Sequence, residues 1–320
     1  MKIKIEVSEM LMGQRLDVLV TTTANDVTRG AVARAIERGD ILVSGRRKKA
    51  AYRVKPGEVV EGSVEPETEL LPLGESISLD LIYEDPWIVV INKPPGLVVL
   101  PGVGNSSGTL LNALIHRFPD LNGANCDAPP RSGIVHRLDK DTSGAILVAK
   151  TKRSYEFLQK EFKHRRVRKL YLALVTGLIN ENQGRIVLPI GRHPIHRKRM
   201  SINSKSARPA ETRWRVLEQI HGYTLVEVGL KTGRTHQIRV HFSALGYPLV
   251  GDRVYGPRKD KQIQTPRQML HAVSLGFRHP WSGKRVEFFT PVPGDMLEMI
   301  ELSSNSHSEQ STCSGGHSKA

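Results

Sequence analysis

Apolar and polar positions along the chain change period several times, and each change marks an element. After a short strand and lead-in over residues 1–12, Leu16, Leu19 and Val20 make a helical stripe. A second helix is expected with Thr28 as N-cap and Gly39 as its stop; Val32, Ala35 and Ile36 face inward, and Arg29, Arg34 and Arg38 face out. Short strands at 41–43 and 59–60 are set off by the turns Ser44-Gly45 and Pro56-Gly57. The acidic, proline-punctuated stretch 65–74 breaks the pattern and reads as a linker. Beyond it, strands at 79–83 and 88–92 lead into a loop rich in Gly and Pro, and Thr109 caps a helix over 110–118. Alternation returns at Val135, Arg137 and Asp139, against Ile134, His136 and Leu138, so a strand is expected to deliver Asp139 to its end. Asp141-Thr-Ser-Gly144 supplies turn chemistry, and an apolar strand resumes at 145–149.

Downstream, Tyr155, Phe157, Leu158 and Phe162 mark a helix over 151–164, and 170–175 is apolar on both faces, as a central strand is. A strand at 223–230, a helix opening at Arg234 and stopping at Gly246, and closing strands at 270–277 and 285–290 complete the pattern. Residues 303–320 are Ser, Gly and polar, which predicts a disordered tail. The chain therefore divides into a small basic domain at 13–62, a linker at 63–78, a large domain at 79–302 and the tail. There are no internal repeats.

Charge changes the picture. With 47 Lys+Arg against 32 Asp+Glu the formal charge is +15, an excess that calls for a polyanionic partner. Arg46, Arg47, Lys48, Lys49, Arg53 and Lys55 add a phosphate-binding surface to the outward arginines of the small domain. No apolar run reaches the roughly 18 residues of a spanning helix, and the alternating N-terminus lacks a signal-peptide core, so no membrane partner and a cytoplasmic location are expected. Cys126 and Cys313 make neither a disulfide framework nor a zinc set. The small domain, through Arg15-Leu-Asp17, Thr28-Arg29, Arg38-Gly39-Asp40, Val43-Ser-Gly45 and Pro56-Gly57-Glu58, resembles the alpha-L RNA-binding domain of ribosomal protein S-four.

Candidate chemistry is narrowed by exclusion. Neither phosphate-loop pattern is present, His193/His196 and His236/His241 lack the spacing that puts two imidazoles on one helix face, and no Ser sits in a nucleophile elbow. What remains is Asp139, beside Arg137, in a strongly basic chain. An Asp before a tight turn also serves as a structural cap, and spacing alone leaves both readings open. A reactive carboxylate needs an Arg that favours its charged form, and Arg137 and Arg234 are the candidates; Tyr171 and Ile238 offer a wall for a planar base. The combination suits an enzyme that draws a nucleotide out of RNA structure.

Three motifs carry a specific resemblance: His136-Arg-Leu-Asp-Lys-Asp-Thr-Ser-Gly144, Arg168-Lys-Leu-Tyr-Leu-Ala-Leu-Val-Thr-Gly177 and Lys231-Thr-Gly-Arg-Thr-His-Gln-Ile-Arg-Val-His241. With Asn92-Lys-Pro-Pro-Gly96 and Pro248-Leu-Val-Gly-Asp252, the chain is similar to RluA-type pseudouridine synthases over about 80–300. The resemblance implies an α+β fold: a mixed, largely antiparallel sheet with a central catalytic cleft, preceded by the small α+β domain. It implies isomerisation of uridine to pseudouridine in large-subunit rRNA or a pre-ribosomal particle, with no cofactor and no metal. Asp139 is the implied catalytic acid, Arg234 its partner, and Tyr171 a stacking or proton-transfer group. Ile238 packs the base, Arg137 fills the gap left by the flipped nucleotide, and Arg29, Arg34 and Arg38 hold RNA. His136, His236 and His241 read as structural. A synthase acting on other rRNA or tRNA sites, a non-catalytic ribosome-assembly factor and an N-glycosidase are the rival readings.

Overall fold

A computed structural model describes residues 1–24, 27–65, 73–102, 104–122, 130–196, 199–256 and 265–305. The chain forms two compact units, Met1–Leu70 and Leu71–Ala320.

In the first unit β1 (Lys2–Glu6) is followed by α1 (Leu16–Thr23), α2 (Arg29–Arg38), β2 (Ile41–Val43) and β3 (Val59–Ser63). The strands pair antiparallel in the order β1-β3-β2, so residues 1–12 belong to the unit rather than merely preceding it. Thr28 accepts a hydrogen bond from the Ala31 N–H, and Gly39 ends α2 at φ 90°, the left-handed conformation a helix stop favours. Leu16, Leu19, Val32, Ile36, Ile41 and Val60 fill the core. Sequence periodicity and structure agree closely here.

The second unit is built on one sheet. Its elements are β4 (Asp80–Glu84), β5 (Ile88–Lys93), α3 (Leu110–Arg117), β6 (Ser143–Ala149), α4 (Lys152–Lys163), β7 (Arg168–Thr176) and β8 (Gln183–Val187). They continue with β9 (Gly191–Arg192), β10 (Met200–Ser201), β11 (Glu211–Ile220), β12 (Tyr223–Leu230), α5 (Gln237–Ala244), β13 (Leu270–Arg278), β14 (Arg285–Phe289) and α6 (Gly294–Asn305). The sheet runs β4-β5-β6-β13-β7-β12-β11-β8, with β14 on the far half of β13, while β9 and β10 pair separately. Every ladder is antiparallel except β6 with β13, where only His271 with Ser143 and Ala272 with Gly144 are in register. The expected mixed, largely antiparallel α+β architecture is present.

That short parallel seam is built from specific chemistry. Gly144 sits at φ +109°, and a Cβ there would collide with the Ala272 carbonyl, so only glycine fits. His271, fully buried, bonds Ser143 Oγ through Nδ1 (2.9 Å) and Thr290 Oγ1 through Nε2 (3.0 Å). Thr290 donates its hydroxyl to the Ala272 carbonyl and so accepts from Nε2–H, which leaves Nδ1 to accept from Ser143. Burial holds this neutral imidazole's pKa down to about 4.

Four segments depart from the sequence pattern. Residues 135–139 are extended but form no strand; apart from the Ile134–Val148 bridge, the ladder is replaced by the His136 ring, whose Nε2 accepts the Leu147 N–H at 2.8 Å. Strands β8 and β11 were not anticipated, because their exposed positions carry Arg and Glu among few apolar residues. Finally, α6 enters the stretch expected to be a tail, held by buried Met296 and Met299. The rest of that tail and residues 66–72 of the proposed linker lie outside the described residues.

Candidate active site

The segment before β6, the start of β7, the end of α4 and the loop before α5 enclose a cleft of about 440 Å³. Asp139, Arg137, Tyr171, Arg234 and Ile238 all line it. Tyr171 and Ile238 are buried in one apolar cluster with Leu138, making a wall beside the carboxylate. Burial, with the charge of Asp139 adding, raises the Tyr171 pKa, so its hydroxyl keeps its proton through neutral pH.

Asp139 is placed by its turn. The Thr142 N–H donates to the Asp139 carbonyl at 3.1 Å, and two buried cations grip the carbonyls between them. Lys93, fully buried, donates to the Lys140 carbonyl (2.9 Å) and to those of Pro94 (2.7 Å) and Leu97 (3.0 Å). Burial lowers its pKa to about 7, with Asp141 and Asp139 opposing. Arg267 donates to the Asp141 carbonyl (3.1 Å) while its other face is bidentate to Asp295 on α6 (2.6 and 2.8 Å). The turn is thus anchored to the loop after β5 and to the last helix.

The guanidinium at Asp139 is Arg239, not Arg234. Arg239 Nη1 donates to Asp139 at 3.2 Å, and its Nε and Nη2 are bidentate to fully buried Asp252 at 2.7 and 2.9 Å. Burial works against the Arg239 charge, but its bonds to Asp252, with Asp139 adding, outweigh that and raise its pKa. Arg234 instead donates from Nε to the Pro209 carbonyl (3.2 Å) at the cleft rim. The reason is where the helix starts. Gln237, the first residue of α5, is fixed by Thr232, Thr212 and the Glu211 carbonyl and takes the Arg234 N–H on its Oε1. Arg234 is therefore left in the loop, and Arg239 enters from the first helical turn.

His236 precedes α5 in the left-handed conformation, φ 57°. Its Nδ1 lies 2.8 Å from the Tyr255 hydroxyl and its Nε2 3.9 Å from Asp139, so it borders that carboxylate rather than only supporting the core. Burial lowers its pKa, with Asp139 opposing. His136 fulfils a structural role through Leu147 and is held neutral, near pKa 3, by burial and by Lys169. His241 is buried between Thr212 and the Leu188 carbonyl. Among the described residues no group of three His, Cys, Asp or Glu side chains could hold a metal ion.

In the first unit, Arg29, Arg34 and Arg38 are exposed on α2. Arg29 nevertheless shares buried Asp17 with Arg15 (2.8 to 3.0 Å), and Arg38 pairs with Asp40 at 2.8 Å. The bond from Arg15, then that from Arg29, lowers the Asp17 pKa to about 2. Arg239, Asp252, Lys93 and Arg267 were missed as site residues. The first three lie within motifs already legible in the sequence, but only the fold shows what they meet.

Residues 87–244 match the family model for RNA pseudouridylate synthase, and residues 14–60 match the S4 domain. An uncharacterised RNA pseudouridine synthase of Bacillus subtilis is 44% identical over 94% of this chain and 97% of its own. The ribosomal large subunit pseudouridine synthase D of Pseudomonas aeruginosa is 42% identical, covering 93% of this chain and 94% of its own. Among solved structures, human RNA pseudouridylate synthase domain containing 1 superposes with a TM-score of 0.57 at 31% identity, covering 77% of this chain and 99% of that one. The chain belongs to the RNA pseudouridylate synthase family, enzymes that isomerise uridine in RNA, and carries an S4 domain at its N-terminal end.

Proposed function

We propose that this protein converts uridines of large-subunit rRNA, as free RNA or in a pre-ribosomal particle, to pseudouridine in the cytoplasm, without a cofactor. The observation that carries this reading is the pairing of Asp139 with Arg239 in a cleft walled by Tyr171 and Ile238. The likeness to relatives named for the large ribosomal subunit supports the substrate. In this reading a flipped uridine lies against Tyr171 and Ile238, Asp139 is the acid that acts on it, and Arg137 at the exposed rim fills the vacated stack. Arg234 contributes to RNA binding at the rim, and Arg29, Arg34 and Arg38 do so on the S4 domain.

The test is Asp139→Asn assayed on large-subunit rRNA transcripts. Pseudouridine formation is expected to vanish while RNA affinity changes less than about twofold; retained activity sinks the role of Asp139. Mapping rRNA pseudouridines in a strain lacking the gene identifies the positions served, and an unchanged map overturns the proposed substrate. Release of free uracil in place of pseudouridine would signify hydrolysis and contradict isomerisation.

A further inference from the structure

Lys169 is a half-buried cation of the cleft that no anion answers among the described residues. Lys169 and Tyr171 both line the cleft and alternate with Leu170 along β7, so their side chains leave the same face of the sheet about 7 Å apart. Tyr171 stands next to Asp139; Lys169 stands one step further toward the end of α4. Its surroundings are cationic or neutral. Arg165 repels it, His136 is held uncharged, and Gly233 leaves room above its Nζ, where an added Cβ would sit 3.7 Å away. Among the described residues none gives this ammonium a hydrogen bond or an ion pair. Among the described residues Asp139 is the only carboxylate lining the cleft, and it is engaged by Arg239. Burial, then Arg165, lowers the Lys169 pKa to about 8, the cost of a charge half withdrawn from water and unanswered.

A half-buried ammonium without a partner among the described residues, two residues along the strand from the aromatic wall, is the arrangement expected of a subsite filled only when ligand arrives. An apolar residue would pack this position without that cost. We propose that Lys169 binds a non-bridging oxygen of the backbone phosphate adjoining the uridine held at Asp139 and Tyr171. The ammonium thereby sets which nucleotide of the strand enters the cleft. This inference rests on the cleft being the uridine site, and it adds the ligand class, a phosphodiester, and the residue that takes it. A diester offers the two charged oxygens that a point-like ammonium recognises, and it is fixed at constant distance from the base.

The experiment uses the full chain and rRNA transcripts carrying a single neutral methylphosphonate at the linkage 5′ or 3′ of the target uridine. Binding and single-turnover rate are read for the native protein and for Lys169→Met. One of the two neutral linkages is expected to weaken the native protein about tenfold, and Lys169→Met to weaken it equally on natural RNA. Combining the two should bring no further loss, because both remove the same contact. Lys169→Arg is expected to recover most of the affinity on natural RNA. Effects that multiply, or a Lys169→Met protein indistinguishable from native, overturn the proposal. Lys169→Met is also expected to melt at or above the native temperature; melting below it, with both linkages tolerated, indicates a scaffold lysine and likewise overturns the proposal. The binding measurements repeated in the Asp139→Asn background separate the two levels of inference. A coupling that persists there stands even if the native protein makes no pseudouridine, whereas loss of the coupling in a fully active enzyme defeats only the Lys169 subsite.

Discussion

Two carboxylates share the Arg239 guanidinium, and they differ in access: the Asp252 side chain is 0% exposed and that of Asp139 21%. The bidentate bond to Asp252 fixes the plane of the guanidinium, which leaves Nη1 aimed at Asp139. A lysine keeps the charge but cannot hold both acids in fixed geometry. Arg239→Lys is therefore expected to lower the single-turnover rate about 100-fold with little change in RNA affinity. Equal losses in rate and affinity would show that Arg239 serves RNA binding instead. Sequence could single out Asp139, Tyr171 and Ile238 because each sits in a dense motif. It could not distinguish Arg234 from Arg239, since the two are five residues apart in one motif and the choice depends on where α5 begins. That boundary is set by Gln237 reaching across to Thr212 on β11, a contact between residues far apart along the chain.

Helices α1 and α2, with α2 bearing a Thr cap and a Gly stop, were legible because their signals are local. The approach to Asp139 was not, since alternation cannot reveal that an imidazole takes the place of a ladder partner at Leu147. The β6–β13 seam was equally hidden, although its glycine was in plain view. Gly144→Ala is expected to push Ala272 away and cost about 3 kcal/mol or more, read as a lower denaturant midpoint, together with loss of activity through the adjoining turn. The seam should also be sensitive to acid. His271 has a folded pKa of about 4 against an ordinary 6.5, so the unfolded chain takes up the proton first as pH falls. Its contribution is complete above pH 6.5 and is lost as pH drops toward 4, roughly 1–3 kcal/mol in all. His136, held near 3, adds in the same direction. Melting temperature is expected to fall across this window, with a shallower slope in His271→Asn. Equal slopes would remove the seam histidine from the account.

For the whole molecule, the formal charge of +15 predicts binding dominated by phosphate contacts. RNA affinity is expected to fall roughly 10³-fold between 50 and 200 mM salt, and the double variant Arg137→Ala/Lys163→Ala should flatten the log–log slope by about 1–2. A salt-insensitive affinity would contradict an electrostatic rim. Composition revealed that polyanion preference early, and the motifs implied the fold class. How the second unit closes on itself was not readable, since it depends on late residues returning to the middle of the chain.

The grip of Arg267 and Asp295 on the turn after Asp139 has a temporal consequence. Arg239, Arg267 and the last helix, which complete the aiming of the acid, are translated at least a hundred residues after it. A nascent chain emerging beside ribosomal RNA therefore displays its basic S4 domain first and can gather RNA long before it can alter any of it. Competence waits for the last helix of the second unit.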